Sequence, residues 1–191
     1  MELSGKTLYH GTVHEFTEID LSKCDNALKD FGTGFYLTSE FRQACSWATT
    51  KKGSSNLKAR VYRYEVVRDL PENLKIYEFL SYNEEWLKCI VSNRGKGTSI
   101  VDDRDIVYDR MADSRWRELT AAIKQYESRE IDAESALKVL KFKRGKRDQF
   151  CFKTELAISL LQPDGCYIVG EGWNKGAKIG ESKHYREHIL S

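Results

Sequence analysis

The chain has 191 residues, 31 of them Lys or Arg against 29 Asp or Glu, a formal net charge of +2, with 40% hydrophobic and 31% charged residues. That length is enough for one buried core, and the near balance of charge fits a soluble globular domain rather than a dedicated nucleic-acid binder, which carries a strong basic excess. No window is apolar over the length a membrane span requires, the start Met-Glu-Leu-Ser-Gly-Lys-Thr has no apolar signal core, and the scattered cysteines Cys24, Cys45, Cys89, Cys151 and Cys166 lack zinc-knuckle or CxxC spacing. The expectation is a cytoplasmic protein off the membrane, with no metal and with reduced thiols mostly in its core.

Along the chain, Thr7 to His10 reads as a first strand and Gly11-Thr12 as its exit. Phe16 to Leu21 is a short mixed segment, and Lys23 to Asp30 is polar and reads as a surface loop. Then comes the most informative stretch, Asp30-Phe-Gly-Thr-Gly-Phe-Tyr-Leu-Thr38. Paired glycines let a backbone turn sharply or approach a ligand closely, and the aromatic, β-branched run after them has strand composition, with Tyr36 on one face and Phe35 and Leu37 on the other. Ser39 reads as an N-cap for a helix from about Glu40 to Thr49, with Phe41, Ala44, Cys45, Trp47 and Ala48 inward. The charges on Arg42, Lys51 and Lys52 read as a solvated helix edge.

Ala59 to Val67 alternates as a strand, and Leu74 to Phe79 is another candidate. Helical spacing follows in Tyr82 to Asn93, broken by Gly95-Lys-Gly97. Ile106 to Tyr108 is a short strand, Ser114 to Glu127 a helix, and Asp132 caps the next helix with Ala133, Ala136, Leu137 and Leu140 inward. The basic run Lys138 to Arg147 reads as an exposed helix end and loop. Asp148 to Phe152 is strand-like, Thr154 starts a helix holding Leu156, Ala157, Leu160 and Leu161, and Cys166 to Val169 is a last strand. Residues 1–170 are expected to form the domain and 171–191 a polar, mobile tail. Alternating βαβ units are absent, so the class is α+β rather than doubly wound.

Several weaker signals are set aside. Gly170-Glu-Gly172 lacks the third glycine and following helix of a dinucleotide fingerprint. His14, His184 and His188 have no partners at metal-ligand spacing, and no cysteine sits in a glycine-rich elbow beside His10. Arg94, Asp113 and Arg115 read first as solvated charge.

The strand end Leu8-Tyr-His-Gly-Thr12 followed by Gly32-x-Gly-Phe-Tyr-x-Thr38 resembles the NAD-binding core of ADP-ribosyltransferases, in the His-Tyr branch shared by poly-ADP-ribose polymerases and diphtheria-type toxins. With Gln43-Ala44, Trp47-Ala48, Trp86-Leu87, Asn93-Arg94, Asp105-Ile-Val107, Ala112-Asp-x-Arg115 and Asp148-Gln-Phe-Cys-Phe-x-Thr-Glu155, the pattern is similar to a bacterial family of uncharacterised ADP-ribosyltransferase-like domains whose members sit beside small partner genes in apparent toxin-antitoxin pairs. The resemblance runs from about Leu8 to Leu161. It implies packed, split antiparallel sheets with NAD in the cleft between them, and a helical stretch from about Tyr82 to Leu140 flanking that cleft.

The resemblance also implies residue roles. His10 would hydrogen-bond the adenosine ribose, the Gly11 backbone would pair with the nicotinamide carboxamide, and Tyr36 would stack on the nicotinamide ring. His10, Gly11, Thr12, Gly34, Tyr36 and Arg94 make the implied NAD-contacting set, Arg94 at the pyrophosphate. The third catalytic position, often a glutamate in this branch, falls on Gln149, with Asp148 and Glu155 as lesser alternatives. Glutamine can bind a ribose hydroxyl but cannot act as a general base near neutral pH, so mono-transfer or NAD cleavage is expected rather than polymer synthesis. Gln149→Glu is expected to keep or raise hydrolysis, and His10→Ala and Tyr36→Ala to remove cleavage with the fold intact. The expected activity is therefore an NAD-dependent mono-ADP-ribosyltransferase, toxin-like and held by an antitoxin-like protein, with NAD as co-substrate and an acceptor, protein or nucleic acid, that the chain does not name. The alternatives are a degenerate NAD- or ADP-ribose-binding module and an RNA 2′-phosphotransferase-like enzyme.

Overall fold

The computed structural model describes residues 2–24, 29–95, 98–110, 116–141, 147–170 and 185–188. Its elements in chain order are β1 (Thr7–Thr12), a 3-10 turn (Leu21–Cys24), β2 (Phe35–Leu37), α1 (Phe41–Lys52), β3 (Ala59–Val66), β4 (Ile76–Glu78), α2 (Glu84–Gly95), β5 (Ile106–Arg110), α3 (Trp116–Glu127), α4 (Ala133–Leu140), β6 (Asp148–Phe152), α5 (Glu155–Ile158), β7 (Leu161–Val169) and β8 (Tyr185–His188). The strands form two open sheets, β1-β3-β7-β8 and β2-β6-β5-β4. The class is α+β. Neighbouring strands are antiparallel except β4 and β5, which run parallel, so the second sheet is mixed where fully antiparallel sheets were expected.

Period-2 alternation explains the layers. Leu8 on β1, Tyr62, Tyr64 and Val66 on β3, Phe35 and Leu37 on β2 and Phe150 and Phe152 on β6 are buried together between the sheets. On the outer face of the first sheet, Phe41, Ala44, Cys45 and Ala48 of α1 pack on Ala59, Val61 and Val169. On the outer face of the second, Tyr36, Val107 and Cys151 meet Trp86, Leu87 and Ile90 of α2, Leu119 and Ile123 of α3 and Ala136 and Leu140 of α4. All five cysteines are free, and four of them are buried.

Two local expectations change. The capping residue of α1 is Glu40 without a side-chain bond, because Ser39 is spent on Asp148: its N–H donates to Asp148 Oδ1 at 2.9 Å and its hydroxyl bonds Oδ2. The helix expected from Thr154 stops after one turn at Ile158, and Leu160 and Leu161 lead into β7, whose Pro163-Asp164-Gly165 accommodates a register shift opposite Tyr62 and Tyr64. Asp113, Arg115, residues 142–146, Gly172, and residues 171–184 and 189–191 of the expected tail lie outside the described residues; Tyr185–His188 of that tail pair with β7. Among the described residues, no helix is long and apolar enough to cross a membrane.

Candidate functional site

The two sheets touch where β1 meets the end of β2. Tyr9 N–H donates to Thr38 O at 2.8 Å and Thr38 N–H to Tyr9 O at 3.0 Å, an isolated antiparallel bridge. Strand alternation then dictates what the next residues present. His10 turns toward Phe35, its ring stacked at 4.3 Å between centroids, with Phe16 edge-on at 6.0 Å. Gly11 turns its missing side chain toward α1, where a Cβ would lie 2.0 Å from the Ala44 carbonyl oxygen. Glycine is demanded at position 11 by the helix, then, where ligand approach was the expected reason. The Gly11 carbonyl points to the same edge as that of Tyr9 and accepts a hydrogen bond from Lys51 Nζ at 3.0 Å.

His10 is held in one tautomer. Its Nδ1 lies 2.7 Å from the Tyr36 carbonyl oxygen, which can only accept, so the proton is on Nδ1 and Nε2 keeps its lone pair. Burial foremost, and then the Lys51 charge, bring its pKa down to about 3, so the ring is neutral through the physiological range. The tyrosine is equally fixed. Its hydroxyl donates to Gly32 O at 2.8 Å and accepts from Phe31 N–H at 3.0 Å, and burial holds the phenol pKa well above its ordinary value. Gly32 supplies that turn with a φ of 75°, a left-handed conformation glycine adopts freely. At Gly34 the constraint is space: a Cβ would lie 2.5 Å from Cys151 Sγ and 2.9 Å from Phe152 O.

A cavity of about 610 Å³ opens beside these residues. His10, Thr12, Gly34, Phe35 and Tyr36 line it from the strands, the segment 14–24 contributes most of the remaining wall, and Lys29 and Lys51 reach in. Lys29 sets its ammonium 4.5 Å from the centroid of the Tyr36 ring. Four expected site residues thus share one cavity, His10, Thr12, Gly34 and Tyr36, although the Thr12 hydroxyl also accepts from His14 N–H at 3.2 Å.

Three other expected residues do not line it: Gly11, whose carbonyl is met by Lys51, and Gln149 and Arg94, which are elsewhere. Gln149 and Arg94 line no part of the cavity; both are committed to Asp30. Gln149 Nε2 donates to Asp30 Oδ2 at 2.8 Å, while Arg94 Nε and Nη2 donate to Asp30 Oδ1 at 2.9 and 2.5 Å. Asp30 and Gln149 are buried, and Gln149 shares with Cys151 the face of β6 that the helices cover. Arg94 therefore meets a carboxylate of its own chain where a pyrophosphate was expected. Of the lesser alternatives, Asp148 pins the entry to α1, accepting also from Thr38 Oγ1 at 2.6 Å, and Glu155 is exposed at the start of α5. Among the described residues, none from the helical stretch 82–140 lines the cavity, which that stretch was expected to flank.

Sequence reasoning missed both lysines. Lys51 follows Ala44 and Ala48 at helical spacing, and those two alanines face β1; the signal was present, but the helix was expected to end at Thr49, three residues before its end at Lys52. Lys29 had no signal beyond its place before the glycine turn. Among the described residues, no group of three His, Cys, Asp or Glu side chains could hold a metal ion.

Comparison with known proteins adds one fact. A family model described as a protein of unknown function matches residues 6–162. The chain belongs to DUF3990. The match spans β1 to the start of β7, so every cavity residue of this DUF3990 chain falls within it. No curated protein and no solved structure matches it.

Proposed function

We propose that this DUF3990 chain is an NAD-dependent mono-ADP-ribosyltransferase, its two sheets being the split sheets of that superfamily. The observation that carries the reading is that His10 and Tyr36 line one cavity, the imidazole tied through Nδ1 to the Tyr36 main-chain carbonyl at 2.7 Å. The imidazole offers a lone pair at Nε2 to a ribose hydroxyl and stays neutral at working pH. Tyr36 offers a flat face that already receives a cation, and the nicotinamide of NAD is a cationic ring. The Gly11 carbonyl is an acceptor for a carboxamide N–H.

The chemistry asked of such a site is modest. The bond from ribose C1′ to the nicotinamide nitrogen breaks with its electron pair going to the ring, which leaves neutral, and C1′ passes through an oxocarbenium-like state to an acceptor or water. Orientation and electrostatics supply that, with no proton given to the leaving group and the proton of the attacking water or acceptor passing to solvent. Gln149 acts at one remove: it holds Asp30, and the next residue, Phe31, holds the Tyr36 hydroxyl. It is a positioning residue in this reading. A toxin-like role under an antitoxin-like partner and a cytoplasmic site of action remain part of the proposal. The placement of Gln149 outside the cavity favours a second reading, a module that binds NAD or ADP-ribose without cleaving it.

The test is release of labelled nicotinamide from NAD by the intact chain. His10→Ala is expected to abolish release with an unchanged circular dichroism spectrum. Tyr36 belongs to the helix-side core, so Tyr36→Ala costs about 3–5 kcal/mol of stability, contrary to the expectation of an intact fold, and Tyr36→Leu, which keeps apolar volume and loses the flat face, is the cleaner variant. Binding without release by wild type would favour the module; wild-type release from folded His10→Ala would defeat the site. Mass spectrometry of cell protein and nucleic acid after brief expression, searching for added ADP-ribose, identifies the acceptor.

A further inference from the structure

Two lysines from separate parts of the chain enter the cavity. Lys51, in the last turn of α1, donates to the Gly11 carbonyl at 3.0 Å, and Lys29, before the glycine turn, lies over Tyr36 at 4.5 Å. Among the described residues, neither forms an ion pair. Lys51 is exposed as a whole residue, yet its ammonium is crowded: burial first and the Lys29 charge second bring its pKa down to about 8, and burial lowers Lys29 as well. Two like charges drawn together in partial burial hold unfavourable free energy that a bound anion relieves.

Among the described residues, the surrounding acids do not supply that anion. Glu15 is held by Arg60 and Asp20 by Lys23, on the wall formed by segment 14–24. Glu18 and His14 on the same wall are exposed, and His10 on β1 is neutral. The contacts the lysines do make are also informative. One covers a main-chain acceptor and the other an aromatic face, the two surfaces best suited to an uncharged or flat organic group. A lysine ammonium is a compact charge on a flexible stem with three donors, able to leave such weak partners for phosphate oxygens.

We propose that Lys29 and Lys51 together bind a diphosphate group, and that in doing so they release the Tyr36 face and the Gly11 carbonyl to the organic part of the same ligand. One phosphate satisfies one ammonium; a diphosphate satisfies both and removes their repulsion. A nucleoside or a free nicotinamide carries no charge to draw the lysines away, so the cavity selects ligands that bear the diphosphate. The diphosphate site rests on the cavity alone, and only the use of the released surfaces by a nicotinamide rests on the NAD reading.

Isothermal titration calorimetry on the full chain at low salt tests it, with inorganic pyrophosphate, inorganic phosphate, ADP, AMP and adenosine as probes. Pyrophosphate is expected to bind at least about tenfold more tightly than phosphate, ADP likewise above AMP, and adenosine not measurably. Lys29→Gln and Lys51→Gln are each expected to weaken pyrophosphate about tenfold, and the double variant about a hundredfold, with circular dichroism unchanged. At pH 8, binding should draw a proton from buffer, read as a dependence of the heat on buffer ionisation enthalpy, and Lys51→Gln should abolish that uptake. ADP binding well above pyrophosphate assigns the site to a nucleotide; equal affinity assigns it to free diphosphate. No pyrophosphate binding by wild type, or equal binding by the double variant, overturns the proposal. A chain that binds pyrophosphate through both lysines but releases no nicotinamide keeps this site and loses the NAD reading, and the reverse pattern separates them the other way.

Discussion

Two polar regions adjoin the turn before β2, and they are built on opposite rules. Around Asp30 the charge is matched: the carboxylate takes Arg94 on one oxygen and Gln149 on the other, with Asp30 and Gln149 buried. In the cavity, one residue away along the chain, two ammonium groups meet no carboxylate among the described residues and an imidazole keeps a lone pair. A closed set of buried partners is architecture, since removing any member strands the others. An open set, poised but unmatched, is what a binding site needs. The contrast is why the proposed site is the strand-edge cavity rather than the strand that holds Gln149.

The hardest way to break this contrast is to open the closed set. Asp30→Ala leaves the Arg94 guanidinium and the Gln149 amide buried without their carboxylate, an expected loss of about 3–5 kcal/mol in urea unfolding. Next comes Gly11→Ala, which drives a methyl into the Ala44 carbonyl and parts β1 from α1, at about 1–3 kcal/mol by the same measurement. Gln149→Glu sharpens the comparison. It sets a second carboxylate against Asp30, so the expected outcome is no longer retained or raised hydrolysis but a loss of about 1–3 kcal/mol near neutral pH. One of the paired carboxyls has a raised folded-state pKa, so that loss should shrink as the pH falls, measurable as a thermal midpoint recovering in acid relative to wild type.

The effect that is smallest near neutral pH is on the cavity side. The His10 pKa is about 3 in the folded chain against 6.5 unfolded, so the unfolded chain binds more protons between those values. Stability is complete above pH 6.5 and declines as the pH falls toward 3; His10→Gln should flatten that decline in thermal midpoints recorded across the range. The same neutrality predicts that nicotinamide release shows no acid limb near pH 6.5 in wild type.

Much of the fold was legible because its strands and helices bury residues at regular periods. Tyr64 and Val66 face inward on β3 and Val61 faces α1 on the other side of the strand, all buried, and Trp86, Leu87 and Ile90 mark α2. What failed were places where tertiary partners override local preference. Ser39 looks like a cap, but Asp148, distant in sequence, claims it. Leu160 and Leu161 continue a helical pattern, yet β3 draws Leu161 into β7 opposite Val66. In the proposed site, the strand residues were readable because the His-Gly strand end and the Gly-x-Gly-Phe-Tyr run carry the resemblance. Lys29, Lys51 and Asp30 were not, because their meaning lies in what stands opposite them after folding, and a charged residue reads the same in sequence whether or not a counter-ion awaits it.

The bridge between Tyr9 and Thr38 has a mechanical consequence. It staples one sheet to the other by a single pair of amides, immediately before His10 and two positions after Tyr36. A molecule gripped by both rings would clamp the staple from outside. Hydrogen exchange at those amides would then slow on ligation, making the seam a built-in gauge of occupancy that needs no knowledge of the reaction.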